Sequence, residues 1–184
     1  MRHTLLTPEQ AAAVMHDGGV IAYPTEAVFG LGCDPHNEKA VRRILALKQR
    51  AESMGLILIG SDFTQFSGWV GDANPEPALA TWPGPVTWLF PKAADAPHFI
   101  TGDHPTQALR VTAHEGCRAL CDAFGGPVVS TSANPHGTPP ARSAGEVETY
   151  FGDFIDGIVA GALGGKDNCS EIRDLATGKI LRPA

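Results

Sequence analysis

The sequence predicts an α/β fold, a twisted mixed β-sheet flanked by helices, and three observations carry that prediction. Short apolar runs of strand length alternate along the chain with capped segments of helical periodicity, the pattern of layered α/β architecture. The centre is rich in proline and the end reads as a hairpin, so the sheet should mix parallel and antiparallel pairs. With 184 residues, 43% hydrophobic and 18% charged, the chain can bury a substantial core and is read as a single domain over residues 1–184.

Thr7-Pro8-Glu9-Gln10 opens the first helix: an N-cap hydroxyl, proline at the first helical position and glutamine three residues past the cap. Gly18-Gly19 should end it. Val20 to Pro24 reads as a short buried strand, and the stretch TEAVFGLGCD after it as a glycine-containing loop. Val41, Ile44, Leu45 and Lys48 stand at helical spacing, which sets Lys48 and Arg50 at or beyond a helix end. Leu56–Ile59 is the next strand, a helix should start at Ser61 or Asp62, and Val86–Phe90 forms a strand between proline and glycine punctuation. Ala108–Thr112 is a further strand, leading into a helix from about His114 to Phe124 and then the strand PVVS. Ser143 and Glu146 make a capping box for a late helix through Tyr150. The end should turn back on itself at Thr177-Gly178.

Apolar runs such as GLILIG are far shorter than the roughly 20 residues a membrane helix needs, and MRHTLLTPEQ lacks the apolar run of a secretory signal, so no membrane association and a cytoplasmic location are expected. The four cysteines are expected as free thiols. A net charge of -6 gives no global pull toward nucleic acid, so any anion site must come from where the 14 Lys and Arg residues gather.

Polar residues cluster just after apolar strands: Thr25-Glu26 after VIAYP, Arg110 and Thr112 within ALRVT, and Ser130 through Asn134 after PVV. Ligands of open α/β sheets bind beyond the carboxyl ends of strands, so these segments would converge if their strands are neighbours. With Lys48, Arg50, Ser170 and Arg173 the set is rich in cations and hydroxyls, the groups that cradle phosphate and carboxylate oxygens. Each also has a plainer account. Ser, Thr, Asn, Pro and Gly together make an ordinary turn, cations suit a helix C-terminus, and Arg173 between Glu171 and Asp174 could be a hairpin ion-pair partner. His114, Cys117 and Cys121 share a helical face as a metal site would require, but Leu120 and Phe124 lie there too, and thiols packed in a core explain it better. No Walker A, G-x-G-x-x-G or G-x-S-x-G pattern is present, and no general base stands beside a serine.

The segments YPTEAVFGLGCD, LKQR, GLILI, WPGPVTWLF, LRVT, STSANPHG and SEIRD, in this order, resemble the YrdC/TsaC family of threonylcarbamoyl-AMP synthases over nearly the whole chain. The resemblance implies a YrdC/RibB-like fold with a concave, positively lined cavity. It also implies synthesis of L-threonylcarbamoyladenylate from L-threonine, bicarbonate and ATP with release of pyrophosphate. Mg²⁺ would accompany the nucleotide, and neither a tightly bound prosthetic group nor a protein metal site is expected. A threonylcarbamoyl transferase complex downstream would modify tRNA next to the anticodon. Residue by residue, the family's K-x-R motif falls on Lys48 and Arg50, assigned to catalysis. Its P-T-E segment falls on Pro24, Thr25 and Glu26, and its S-x-S-x-N loop on Ser130, Ser132 and Asn134. Arg110, Ser170 and Arg173 complete the expected substrate and ATP contacts. The chain departs from the pattern at Ala51 and Cys169, where proline is common, and at Met54, where a phosphate-facing cation is common. The alternative function is a non-catalytic module binding tRNA or rRNA through the same cavity; a third is an adenylating or carbamoylating enzyme with another acceptor.

Overall fold

The computed structural model describes residues 3–184. In chain order the elements are β1 (Leu5–Leu6), α1 (Pro8–His16), β2 (Ile21–Pro24), β3 (Phe29–Gly32), α2 (Glu38–Leu47), β4 (Ile57–Gly60), α3 (Glu76–Leu79), β5 (Val86–Pro91) and α4 (His98–Thr101). They continue with β6 (Thr106–Val111), α5 (Glu115–Phe124), β7 (Val128–Ser132), α6 (Ala144–Phe151), β8 (Gly157–Val159), β9 (Glu171–Asp174) and β10 (Ile180–Arg182). Among the described residues the strands form one sheet in the order β1-β8-β2-β3-β7-β4-β6-β5-β9-β10. The sheet is mixed, as expected: β4 pairs parallel with β6 and β5 with β9, while β2–β3, β3–β7, β4–β7 and β5–β6 are antiparallel.

The first helix signal acts as anticipated, and two later ones only in part. Thr7 caps α1 with both arms of a capping box formed, its side chain accepting from Gln10 N and the Gln10 side chain accepting from Thr7 N. At α6 the Ser143 hydroxyl accepts from Glu146 N, but the Glu146 carboxylate reaches Arg142 N instead of the cap's own N–H, so the reciprocal half of the expected box is displaced by one residue. The helix expected from Ser61 or Asp62 is only a 3-10 turn, Phe63–Phe66, which Asp62 caps.

The stretch expected to be a loop after β2 is instead mostly the strand β3, antiparallel to β2 in the register Ile21↔Gly32 to Pro24↔Phe29. Its glycines read as loop punctuation, yet they make room for the buried Tyr23. A Cβ at Gly32 would sit 2.6 Å from the Tyr23 ring and 2.7 Å from the Val129 carbonyl oxygen. The Tyr23 hydroxyl donates to that same carbonyl at 3.0 Å, tying β2 to β7 across β3.

Two cores result. Val41, Ile44, Leu58, Phe66, Trp88, Phe90 and Leu109 belong to the larger, and Met15, Ile21, Tyr23, Ile59, Cys117, Leu120, Cys121 and Val128 to the second, under α1 and α5. Cys117 and Cys121 therefore pack as small apolar side chains. Their thiols donate to the carbonyls of Pro24 and Ile59, and burial pushes both up from the usual thiol range, Cys121 to about 12. All four cysteines are free. Among the described residues no group of three or more His, Cys, Asp or Glu is placed to hold a metal ion, and no helix is long and apolar enough to cross a membrane.

Candidate active site

A cavity of about 430 Å³ opens over the sheet where the ends of β2, β7, β4 and β6 meet the C-terminal hairpin β9–β10. Thr25, Glu26, Arg50, Arg110, Ser130, Ser132 and Ser170 line it, so seven of the eleven residues matched to the family's motifs converge on one hollow. Antiparallel pairing is what gathers them: Gly30 faces Ser132 across β3–β7 and Ile57 faces Ser130 across β4–β7, while β6 follows β4 in parallel.

Thr25 closes the turn between β2 and β3, its backbone N–H and its hydroxyl both donating to the Val28 carbonyl, at 3.1 and 2.7 Å. Beside it Glu26 and Arg110 form a buried ion pair, Arg110 Nη1 to Glu26 Oε1 at 2.6 Å, with the Thr112 hydroxyl donating to the same oxygen at 2.7 Å. Burial opposes both charges, but each partner outweighs it: Glu26 is held below the usual carboxylate range and Arg110 above the usual guanidinium range. The other carboxylate oxygen, Glu26 Oε2, is buried without a hydrogen-bond partner. Among the described residues Glu26 is the sole carboxylate in the cavity wall, and its Oε1 already accepts from Arg110 and Thr112. Those lining residues thus offer no carboxylate cluster for Mg²⁺.

Lys48 and Arg50 flank the C-terminus of α2. Lys48 is the C-cap, and the chain leaves in a Schellman turn, with Gln49 N donating to Ala46 O at 3.0 Å and Arg50 N to Leu45 O at 2.9 Å. Gln49 takes the left-handed position usual for glycine, φ 49°. That reversal parts the two cations. Arg50 lines the cavity, its guanidinium donating to the Gly55 carbonyl at 2.9 Å. Lys48 is buried outside the lining, under the loop after β7. Its ammonium donates to Ser132 O at 2.5 Å, Asn134 O at 3.1 Å and Asn134 Oδ1 at 3.2 Å, and approaches Ser132 Oγ at 3.5 Å. All these partners are neutral oxygens. Burial, then the charge of Arg50, lower its pKa to about 8.

Two further expectations meet a different placement. Asn134 stays out of the cavity wall. Its Oδ1 accepts from the Ser132 hydroxyl at 2.6 Å and its amide donates to Thr138 O at 2.9 Å, so it locks the loop. Arg173 is also absent from the wall. On β9 it alternates with Ser170 and Ile172, which face the cavity, and it pairs with Glu171 and stacks 5.6 Å from the Trp88 ring centroid. Ser170 does reach the cavity, sharing a hydrogen bond of 2.8 Å with the Thr87 hydroxyl.

Sequence reasoning missed Arg182. In the hairpin register it lies opposite Ile172, lines the cavity, and donates to the Ser170 carbonyl at 2.7 Å. Its charge, after burial, depresses the pKa of Arg50, so the two cations share one field. A turn at Thr177-Gly178 brings the chain back along β9, but a regular hairpin would set residue 182 opposite Arg173; a register shift between Ile180 and Arg182 places it opposite Ile172, on the cavity-facing row. Met54, at the position where the resemblance led to the expectation of a cation, also lines the cavity and is exposed. Met54→Lys is expected to lower the KM for a polyanionic nucleotide about threefold, the size of one exposed charge pair, in steady-state assays.

The Sua5/YciO/YrdC family model, described as "Telomere recombination", matches residues 13–184. A protein of Cellvibrio japonicus named threonylcarbamoyl-AMP synthase is 54% identical over 177 residues, covering 95% of this chain and 94% of the relative. Another of that name from Halorhodospira halophila is 52% identical over 175 residues, covering 94% and 92%. Among solved structures, P. abyssi Sua5 complexed with L-threonine superposes with a TM-score of 0.89 at 33% identity, over 96% of this chain and 53% of Sua5. E. coli YciO superposes with a TM-score of 0.83 at 25% identity, over 95% and 87%. Shared sequence at this level, together with superposition over 96% of the chain, leaves one conclusion about descent: the chain belongs to the Sua5/YciO/YrdC family.

Proposed function

We propose that this protein is an L-threonylcarbamoyladenylate synthase, joining L-threonine, bicarbonate and ATP with release of pyrophosphate. The cavity carries the reading: it gathers hydroxyls of Thr25, Ser130, Ser132 and Ser170 with the Glu26–Arg110 ion pair and the guanidinium groups of Arg50 and Arg182. Glu26 and Arg110 present opposite charges side by side, which suits the ammonium and carboxylate of an amino acid. Arg50 and Arg182 carry no carboxylate partner in the wall and suit phosphates. The names of the relatives agree with this reading.

In the reaction the threonine amine attacks carbon dioxide derived from bicarbonate, giving a carbamate, and a carbamate oxygen attacks the α-phosphorus of ATP as pyrophosphate leaves. Both reactants are anions, so the chain's contribution is to offset their repulsion and hold them in line, in a hollow poor in water because carbamate and mixed anhydride both hydrolyse. Arg50 and Arg182 meet the triphosphate. Lys48 supports the Ser132 edge from beneath and adds positive potential that no carboxylate quenches. No protein nucleophile is needed. Mg²⁺ arrives with ATP and neutralises part of its charge.

The product, a labile mixed anhydride, passes to a threonylcarbamoyl transferase complex that modifies the adenosine next to the anticodon. The work is done in the cytoplasm by one domain spanning residues 1–184. Incubation with labelled bicarbonate, threonine and Mg-ATP is expected to yield a labelled adenylate and pyrophosphate, each requiring all three substrates. If no adenylate forms and the protein instead binds tRNA with a steep salt dependence, the RNA-binding alternative is the right one. Serine outcompeting threonine would point to another acceptor.

A further inference from the structure

His114, first noticed as a metal-ligand candidate, has both ring nitrogens engaged elsewhere. Nδ1 accepts the Cys117 backbone N–H at 3.2 Å, which makes the imidazole the N-cap of α5. Nε2 lies 2.9 Å from the Ala162 carbonyl oxygen. An accepting Nδ1 and a carbonyl facing Nε2 assign one tautomer, with the proton on Nε2.

Ala162 belongs to residues 160–169, a glycine-rich segment exposed except at Leu163. This strap crosses the edge of the cavity: Gly164 N donates to Thr25 O at 3.0 Å and Lys166 N to Glu26 O at 2.9 Å, and Asn168, Cys169 and Ser170 then enter the cavity wall. A Cβ at Gly164 would stand 2.9 Å from Glu26 Cα and 3.3 Å from His114 Cδ2, so the strap lies flush between these two residues. The backbone of His114 belongs to the same network, its N–H donating to the Thr112 hydroxyl that in turn donates to Glu26. With so few apolar side chains, the strap is held in place mainly by hydrogen bonds.

We infer that His114 is a positioning residue: its Nε2–H pins the strap so that the Thr25–Glu26 edge and Ser170 stand in register across the threonine end of the cavity. The inference rests on the function proposed above for that end, but the strap itself can be examined without substrate. Asparagine and glutamine separate the two jobs of the ring. His114→Asn keeps an acceptor for Cys117 N–H but is too short to reach Ala162, whereas His114→Gln extends an amide N–H toward Ala162 and makes a poor cap.

Amide hydrogen exchange at Gly164 and Lys166, thermal melting and threonine kinetics would be measured on both full-length variants. His114→Asn is expected to melt near the parent, to exchange at both amides about fivefold faster, the worth of one hydrogen bond, and to raise the threonine KM by a similar factor with kcat kept. His114→Gln is expected to melt lower while exchange and KM stay at parent values. Unchanged exchange in His114→Asn, or equal loosening in both variants, would overturn the inference. ¹⁵N spectra of the unmutated protein give a check that needs no variant: an Nδ1–H tautomer at His114 is incompatible with the pin. If the parent protein makes no adenylate, the functional reading fails while the exchange pattern still decides the role of His114.

Discussion

Lys48→Met is expected to lose at least about 100-fold in pyrophosphate release while remaining folded, the scale seen when one preorganised charge-stabilising donor is removed from an active site. The ammonium is buried against four oxygens of Ser132 and Asn134, and no carboxylate answers it. A cation held this way costs free energy in the unliganded protein and is relieved when anions enter the adjoining hollow. Methionine fills the space, strips the loop of its donors and removes a desolvated charge. The last two effects oppose each other, so stability should change by no more than about 1–2 kcal/mol. Lys48→Arg should not restore turnover, because a planar fork cannot replace a compact ammonium among these acceptors.

The depressed pKa gives the same residue a signature in pH. With the folded value near 8, the ammonium loses its proton as pH climbs through that point. Affinity for a non-hydrolysable ATP analogue should fall over the same interval in the parent and stay flat in Lys48→Met. The stability linkage has the opposite sense: between about pH 8 and the ordinary lysine value the unfolded chain binds the extra proton, so this group makes the fold more stable as pH rises. Near-parent pyrophosphate release by a folded Lys48→Met protein would remove lysine from the mechanism.

Arg110→Met should produce the largest loss of stability, about 3–5 kcal/mol in urea unfolding, because it leaves the Glu26 carboxylate buried and alone. Against a typical domain stability of roughly 5–15 kcal/mol, that is a substantial share. The double variant Glu26→Gln with Arg110→Met should recover a good part of it, since no buried charge then lacks a partner, yet stay inactive because the proposed threonine contacts are gone. In the parent protein, Glu26 is held below its ordinary value by Arg110 despite burial, so its contribution is complete above the usual carboxylate range and disappears as pH falls through the folded value. A double variant no more stable than Arg110→Met would mean that the pair contributes nothing.

Much of this was legible in the residues. Apolar runs marked most of the central strands, and caps at Thr7 and Ser143 lie where helices begin. Local rules failed where tertiary packing overruled them. The glycines of β3 looked like a loop because the ring of Tyr23, which needs their missing side chains, comes from the neighbouring strand. Strand periodicity separates Arg173 from Ser170, but the motif alone grouped them. Arg182 was overlooked because a cation near a hairpin end has no local pattern; its role arises from facing Ile172 across the turn. The motif also bracketed Lys48 with Arg50, whereas the left-handed Gln49 between them sends one beneath the loop and the other into the hollow.

The strand order has a kinetic corollary. β7 lies between β3 and β4, and each neighbour is roughly 70 to 100 residues away from it along the chain. The hollow is therefore assembled only when distant parts of the polypeptide have found one another, and no excised fragment should retain a trace of it. Turnover becomes a gauge of global folding: damage anywhere along the sheet will register first as weakened substrate capture, before spectroscopy detects unfolded protein.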